Sequence, residues 1–501
     1  MGSPGISAGP IMTHDIASPH SRRFVLVAAI LASSMGFIDG SVISIAIPSI
    51  RADLGATLAD AQWISNGYLL FLSSLILLGG AAGDRFGLRN MFGLGIAVFV
   101  AASMVCALAP SPLVLVIARA VQGTGAAFMV PGSLAIIAKA YPREERGRAI
   151  GAWAAASSLT TIAGPIIGGF VLTALGDWSW RLVFAINLPL GLVALALLWF
   201  RVAPDHPEAG RKLDVIGAAL ATLTLMLIAY GLTGDGSESM PPLSHTVLWC
   251  GAGLVLAVMF IIWERRSLHP MLPLRLFANL GFSGANALTF ALYFALGGTM
   301  FYLPMTMIGG WGESPATVSL VLLPLGISLT LLSSLSGQWA DRFGPAPLIA
   351  AGSLLVAAAF AALGVTAPLH AVWLAVLPSI VLLGLGMGLV VSPLSTAVMT
   401  SVGDGDTGVA SGVNNAVARV AGLVAVALLG AVVASVFEQN LDAAAELPIF
   451  FGVVTEGLSP AEESLRLAAT DAAFAAVAYV TAALSVVSAL VAWLTLERKR
   501  L

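Results

Sequence analysis

The chain alternates between long apolar runs and short polar breaks. Fourteen runs stand out, at about 24–48, 60–83, 90–109, 112–138, 147–175, 182–202, 214–234, 245–265, 280–306, 314–337, 346–367, 371–398, 407–437 and 470–496. Each is long enough to cross a hydrocarbon core of about 30 Å as a helix. Membrane strands would alternate over about ten residues, whereas these runs are continuous. In lipid, only helices and closed barrels satisfy the backbone, so the pattern predicts an all-α polytopic bundle of fourteen transmembrane helices. Residues 1–23 and 497–501 are read as tails. The first run lacks an Ala-x-Ala exit and is read as a retained span.

Two breaks look alike. Gly80-Ala-Ala-Gly-Asp84-Arg85-Phe86-Gly87 resembles Gly337-Gln-Trp-Ala-Asp341-Arg342-Phe343-Gly344, and 341 − 84 gives an offset of 257. The same offset carries the first span onto the ninth and Gly164-Pro165 onto Ala421-Gly422 in the thirteenth. The chain therefore divides into a six-helix half (24–202), a linker with two inserted helices (203–279, helices at about 214–234 and 245–265) and a second six-helix half (280–496). Parallel six-helix repeats with a site between them are a known transporter plan. The plainer reading is a tight turn used twice, but the offset aligns whole helices as well as turns.

Composition sharpens this. Hydrophobic residues make up 58% and charged residues 10%, against about 25% charged in soluble domains. Mean hydropathy is +0.96. These values and the long apolar runs exclude a soluble enzyme, a disulfide scaffold and a disordered chain; both cysteines, Cys106 and Cys250, lie inside apolar runs, so no disulfide framework is implied. The net charge of −3 gives no reason to expect nucleic acid. Of 23 Lys and Arg residues, 18 fall in the tails and alternate loops that share the N-terminal side, and Arg51, Arg181 and Arg466 fall on the other. By the positive-inside bias both termini are expected in the cytoplasm.

Few charges are expected at depth: Asp39 in the first span, Arg119 in the fourth and Arg419 in the thirteenth. A charge at mid-bilayer costs about 2.5–3.5 kcal/mol on insertion scales. At 1.5 Å per residue, Asp39 and Arg119 both sit roughly 10–14 Å below the outer boundary and can meet. A carboxylate beside an arginine can trade its proton as water access changes, so the pair reads either as a proton-coupling site or as a structural lock between helices. The proton role is favoured, and no histidine competes at that depth. Arg419 lacks an acidic partner at its level. It satisfies itself on carbonyls near Asn414 and Asn415 or faces a water-filled cavity.

These residues carry a resemblance. Ile38-Asp39-Gly-Ser-Val-Ile-Ser-Ile-Ala46-Ile-Pro48, the loop from Gly80 to Arg89, Arg119-Ala-Val-Gln122-Gly123-Thr-Gly125-Ala-Ala127, Gly164-Pro165-Ile-Ile-Gly168-Gly169 and Trp178-Ser-Trp180-Arg181 with Ile186-Asn187-Leu-Pro189 occur in order. Together they resemble the major facilitator superfamily, specifically its fourteen-span drug:H⁺ antiporters. Leu88 stands where that family often has a basic residue, and Gly40-Ser41 where a Thr often follows the acid.

The resemblance implies proton-coupled export of amphiphilic small molecules by alternating access, with Asp39 and Arg119 as coupling residues. It implies gate elements at Gly80, Asp84, Arg85, Gly87 and Arg89 and at Gly164, Pro165, Gly168 and Gly169. Gly164 and Gly168 share a helix face, so they are expected to let the fifth helix approach the other half closely, while Pro165 permits a bend. Ordinary tight packing is the alternative. Asp84 is expected to clasp the start of the thirteenth span near Thr407–Ser411, where unpaired N–H groups attract anions; a solvated turn is the alternative. Arg85 and Arg89 are expected to pair with nearby carboxylates.

Weak cavity candidates are Trp63, Tyr68, Gln122, Tyr293, Phe294, Asn414, Asn415 and Arg419. One acid and two arginines at depth tilt the substrate toward neutral, zwitterionic or anionic amphiphiles. A channel, a sensor, an enzyme and an ATP-driven pump fare worse, for want of a continuous polar stripe, a soluble domain, a nucleophile–base pair and a phosphate-cradling loop. Uptake, or export of one dedicated metabolite or lipid, remains a same-fold rival. No cofactor and no metal are expected, and the partners are substrate, protons and membrane lipid. The chain is expected to work as a monomer in a bacterial cytoplasmic membrane.

Overall fold

The structure is a computed structural model. It describes residues 19–205, 212–234, 241–441, 449–455 and 457–496. The tails at 1–18 and 497–501, together with Arg211, lie outside the described residues. Among those residues all regular structure is helical, and fourteen segments are long and apolar enough to span a membrane.

The first half holds α1 (Pro19–Leu54), α2 (Leu58–Phe86), α3 (Leu88–Ala107), α4 (Pro112–Ala140) and α5 (Arg143–Leu175). Its sixth span is broken into a 3₁₀ turn (Asp177–Ser179), α6 (Trp180–Ala185) and α7 (Asn187–Arg201). The inserted pair is α8 (Val215–Thr233) and α9 (Leu243–Arg266). The second half holds α10 (Leu280–Met305), α11 (Pro315–Phe343), α12 (Pro345–Thr366), α13 (Leu377–Thr400), α14 (Thr407–Asn440) and α15 (Pro460–Thr495). π-Turns at Thr306–Gly310 and Val372–Val376 extend the ninth span and open the twelfth.

The 257-residue offset carries α2 onto α11 end for end, 58–86 onto 315–343. It also carries the turn glycine Gly87 (φ +95°) onto Gly344 (φ +82°). A left-handed glycine at this point lets one helix end and the next begin without a loop. The halves meet along α2–α14 and α5–α11, with α1 touching α10. The inserted α8 lies against both α2 and α14, where Leu70, Ala229 and Leu423 form a small buried cluster. The helix thus covers the seam between halves, while α9 packs mainly on α8 and is almost wholly outward-facing.

Two boundaries differ from the hydropathy pattern. The last helix starts at Pro460, ten residues before the expected 470. Ser459 and Glu462 form a reciprocal capping box, and Arg466 is buried through pairing: it donates to the Gly309 and Gly310 carbonyls and to Glu463. The first helix runs past 48 to Leu54 despite Pro48. It carries Arg51 to the Phe451 carbonyl at 2.6 Å and Asp53 to the Trp180 indole and the Arg181 guanidinium.

Candidate functional site

Three helices bring the deep charges together. Asp39 is 1% exposed and Arg119 is 1% exposed, and their Oδ2 and Nη1 atoms are 2.6 Å apart. Gln122, one turn beyond Arg119 on α4, donates to Asp39 Oδ1 at 3.0 Å and accepts from Arg119 at 2.7 Å. Arg119 also donates to the Ile64 carbonyl on α2 at 3.1 Å. Its guanidinium lies between the rings of Tyr68 (4.3 Å) and Phe184 (5.7 Å), a cation–π arrangement. Gly123 makes this approach possible: a Cβ there would collide with the Tyr68 carbonyl. The network continues from Gln122 to the Ser103 hydroxyl and from there to the Asn187 amide at 2.8 Å. One polar string therefore ties α1, α2, α3, α4 and α7 together.

Sequence reasoning places Gln122 among the cavity candidates; the structure puts it inside the ion pair instead. Ser103 is a site residue that the sequence reading does not single out. Its signal is a polar residue inside an apolar run, and the helix break at Asn187 is the other half of that signal. Both carboxylate oxygens of Asp39 are met by donors. Removing either partner leaves a buried, uncompensated charge, which costs about 3–5 kcal/mol.

Two cavities flank this network. One, of about 480 Å³, is lined by Phe37, Gly40, Tyr68, Arg119, Trp153 and Arg419 among others. The second, of about 450 Å³, lies toward the other half and is lined by Tyr293, Met300, Met399, Asn414, Asn415 and Arg419 among others. Leu69, Asn415 and Arg419 line both, so the cavities meet between the halves. The Arg419 Nε is buried and has no hydrogen-bond partner. Of the two sequence alternatives for Arg419, the cavity is what the geometry provides. Asn414 faces both ways, lining the cavity and bonding Thr289 on α10 at 2.8 Å.

Two other cavity candidates lie elsewhere. Trp63 donates its indole N–H to the Gly234 carbonyl and packs on Tyr230 of α8. Phe294 is buried in the second half's core beside Phe290. Aromatic residues in an apolar helix carry no label for which neighbour they will meet.

The glycine face of α5 is also divided. The expectation that Gly164 and Gly168 face the other half is overturned. A Cβ on Gly164 would sit 3.3 Å from Ile38 Cα, and one on Gly168 would sit 2.5 Å from Val42 Cγ1, both on α1 of the same half. Gly169 meets the other half: its Cβ would collide with the Ser319 hydroxyl and lie 2.6 Å from the Pro315 carbonyl oxygen on α11. The Ser319 hydroxyl donates to the Pro165 carbonyl at 2.8 Å, and the Ala316 N–H to the Thr173 hydroxyl at 2.9 Å. Gln62 on α2 reaches the Tyr302 hydroxyl on α10 at 2.9 Å near the same end. Toward the opposite end of α5, a methyl added to Gly147 or Gly151 would meet nothing within 4 Å. The bundle is thus closed at the Gly176 end, and the cavities extend toward the end that carries the Gly87 turn.

At that second end Gly87 abuts Asp205. Asp205 accepts from the Leu88 and Arg89 backbone N–H groups and from Lys139 at 2.9 Å. Arg89 caps carbonyls at the end of α7, Leu198 and Trp199, where pairing with carboxylates was expected. Arg85 is exposed over the Phe86 ring. Asp84 occupies the last turn of α2, and the first turns of α14 approach α2 at Gly412–Leu77. Gly80 has only an ordinary approach to Pro131.

Comparison with known proteins agrees with this architecture. The chain is 32% identical to a multidrug resistance protein B homolog of Mycobacterium tuberculosis, over 74% of this chain and 69% of that protein. It is 33% identical to a probable actinorhodin transporter of Streptomyces coelicolor, over 86% and 74%. It is also 33% identical to a methylenomycin A resistance protein of Bacillus subtilis, over 82% and 87%. Among solved structures, a bacterial homolog of the human lysosomal transporter Spinster superimposes with a TM-score of 0.64 at 17% identity, over 95% of this chain and 98% of that one. A D-xylose–proton symporter superimposes with a TM-score of 0.62 at 16% identity, over 95% and 98%. The profile of the Major Facilitator Superfamily matches residues 29–426. With fourteen apolar helices, paired six-helix halves and relatives that are transporters, this chain belongs to the Major Facilitator Superfamily and is a multi-pass membrane transporter.

Proposed function

We propose that the protein is a proton-coupled antiporter that exports amphiphilic small molecules across a bacterial cytoplasmic membrane, working as a monomer. The observation that carries this reading is Asp39: a buried carboxylate, held by Gln122 and by Arg119, which itself lines a cavity between the two halves. The names of relatives, which include multidrug and antibiotic resistance proteins and an antibiotic transporter, favour export. The arginine-rich end is assigned to the cytoplasm, so the conformation described is open inward. The halves are taken as 24–202 and 280–496, joined by the inserted pair.

In this cycle, protonation of Asp39 removes its charge and loosens its hold on Arg119, which biases the halves. Proton release to the cytosol restores the ion pair and permits substrate capture. A ligand shifts such an equilibrium only through different affinity for the two states. Gly169 and Ser319 form the outer seal, and Asp84, Arg85, Gly87 and Arg89 belong to the inner one. The wall around Tyr68, Tyr293, Asn415 and Arg419 contacts the substrate.

The test is transport in proteoliposomes with an imposed pH gradient and a panel of amphiphiles. Wild type is expected to concentrate at least one of them and Asp39→Asn to lose gradient-driven accumulation. Accumulation that survives in Asp39→Asn refutes the proton assignment.

A further inference from the structure

Of the residues the two cavities share, one is charged, and the proton cycle gives that charge no part. Arg419 sits on α14, at the junction between the halves, and lines both spaces. Its charge has no carboxylate beside it. Neither cavity wall includes an Asp or Glu among the described residues, and Asp39 is fully engaged with Arg119 and Gln122. The Arg419 Nε is buried with no hydrogen-bond partner. A guanidinium is a planar donor fork that matches a carboxylate edge to edge. Arg419 is half-buried, and a partly desolvated cation without an anion is costly, so its lack of an acidic partner is poorly explained by packing.

The charge balance points the same way. With Asp39 ionised, Asp39 and Arg119 cancel and Arg419 leaves the site with one net positive charge. A cargo with one negative charge brings the loaded cavity to neutrality, and a cationic cargo would meet repulsion. The rest of the wall is suited to an apolar body: Leu69, Leu296, Met300, Val398 and Met399 on one side, Phe37, Ile43, Val130 and Leu134 on the other. Methionine is unbranched and polarizable, so it adapts to varied shapes. Asn415 and Tyr293 stand beside the guanidinium to take neutral polar groups.

We propose that Arg419 is the docking point for the acidic group of the substrate, and that the protein prefers amphiphiles carrying one carboxylate over neutral or cationic ones. This deepens the export reading and rests on it only for direction of transport; the binding site itself stands apart from proton coupling. Arg119, by contrast, is committed to Asp39 and does not contact the cargo's charge.

The experiment is equilibrium binding of radiolabelled 1-naphthaleneacetate and its neutral amide, 1-naphthaleneacetamide, to the full-length protein in nanodiscs at about pH 7.5, with empty nanodiscs subtracted. Hydrogen bonds to charged groups are worth enough for about tenfold or more in affinity. Wild type is therefore expected to bind the acid at least about tenfold more tightly than the amide. Arg419→Gln should erase that preference by weakening acid binding about tenfold or more, and Arg419→Lys should keep part of it. Melting temperatures of each variant in the same nanodiscs report folding. Equal binding of acid and amide by wild type, or a preference that persists in folded Arg419→Gln, overturns the proposal. Because binding needs no gradient, Asp39→Asn is run alongside. Loss of transport with acid preference intact in that variant supports both readings, whereas gradient-driven transport that survives there removes the proton assignment and leaves Arg419 standing.

Discussion

Replacing Gly169 with alanine tests whether the α5–α11 contact sets which end of the bundle is closed. The added methyl would lie 2.6 Å from the Pro315 carbonyl oxygen, whereas ordinary contact begins at 3.4 Å, so the shortfall is 3.4 − 2.6 = 0.8 Å. The Ser319 hydroxyl, also in the way, can rotate aside. The carbonyl belongs to the first turn of α11 and moves only with that helix. Overpacking of this kind costs typically about 1–3 kcal/mol, which lowers the closed population by about fivefold to more than a hundredfold.

The assay is pulsed electron–electron spin resonance on a background with Cys106 and Cys250 replaced, with labels at Leu175 and Glu313 on either side of the contact. Wild type should give one short distance, and Gly169→Ala should gain a longer component and slow transport. Gly151→Ala, where a methyl meets nothing within 4 Å, serves as the control and should match wild type. If Gly169→Ala also matches wild type in distance and transport, the two helices are not in the contact described and the outer-seal argument fails.

Two further outcomes follow from the geometry. Gln122→Leu removes the donor to Asp39 Oδ1 and an acceptor of Arg119; leaving buried partners unmet costs about 1–3 kcal/mol. Melting temperature and pH-driven transport should both fall, and unchanged values of both would contradict the network. Burial would raise the Asp205 carboxyl, but Lys139 and the Leu88 and Arg89 N–H groups reverse this and hold it below the usual carboxylate range. A depressed folded-state value gives stability that is present above the unfolded value of about 3.9 and is lost as pH falls through the folded one. Asp205→Asn should therefore lower the melting temperature at about pH 7 and do so progressively less below about pH 4. An equal effect at about pH 7 and about pH 3 would show that charge is not what Asp205 contributes.

The span count, the repeat and the depth of the rare charges are legible along the chain, because hydropathy and spacing are local properties. The fourteen apolar runs correspond to fourteen helical spans among the described residues, the sixth of them broken. The offset of 257 carried α2 onto α11. Rise per residue put Asp39 and Arg119 at one level, and they lie 2.6 Å apart. By hydropathy, Glu462, Glu463 and Arg466 belong outside the last apolar run; only the Gly309 and Gly310 carbonyls of a distant segment explain how Arg466 is buried in its helix.

Tertiary structure alone decided which neighbour each helix face meets. A shared face on α5 was legible, but not that Gly164 and Gly168 take α1 while Gly169, one residue on and about 100° around the helix, takes α11. Gln122 and Trp63 were visible as polar or aromatic residues in apolar runs, yet one completes an ion pair and the other leans on an inserted helix. Periodicity states which residues look outward together. Packing of separate helices, sensitive to tenths of an ångström at each glycine, states what they look at.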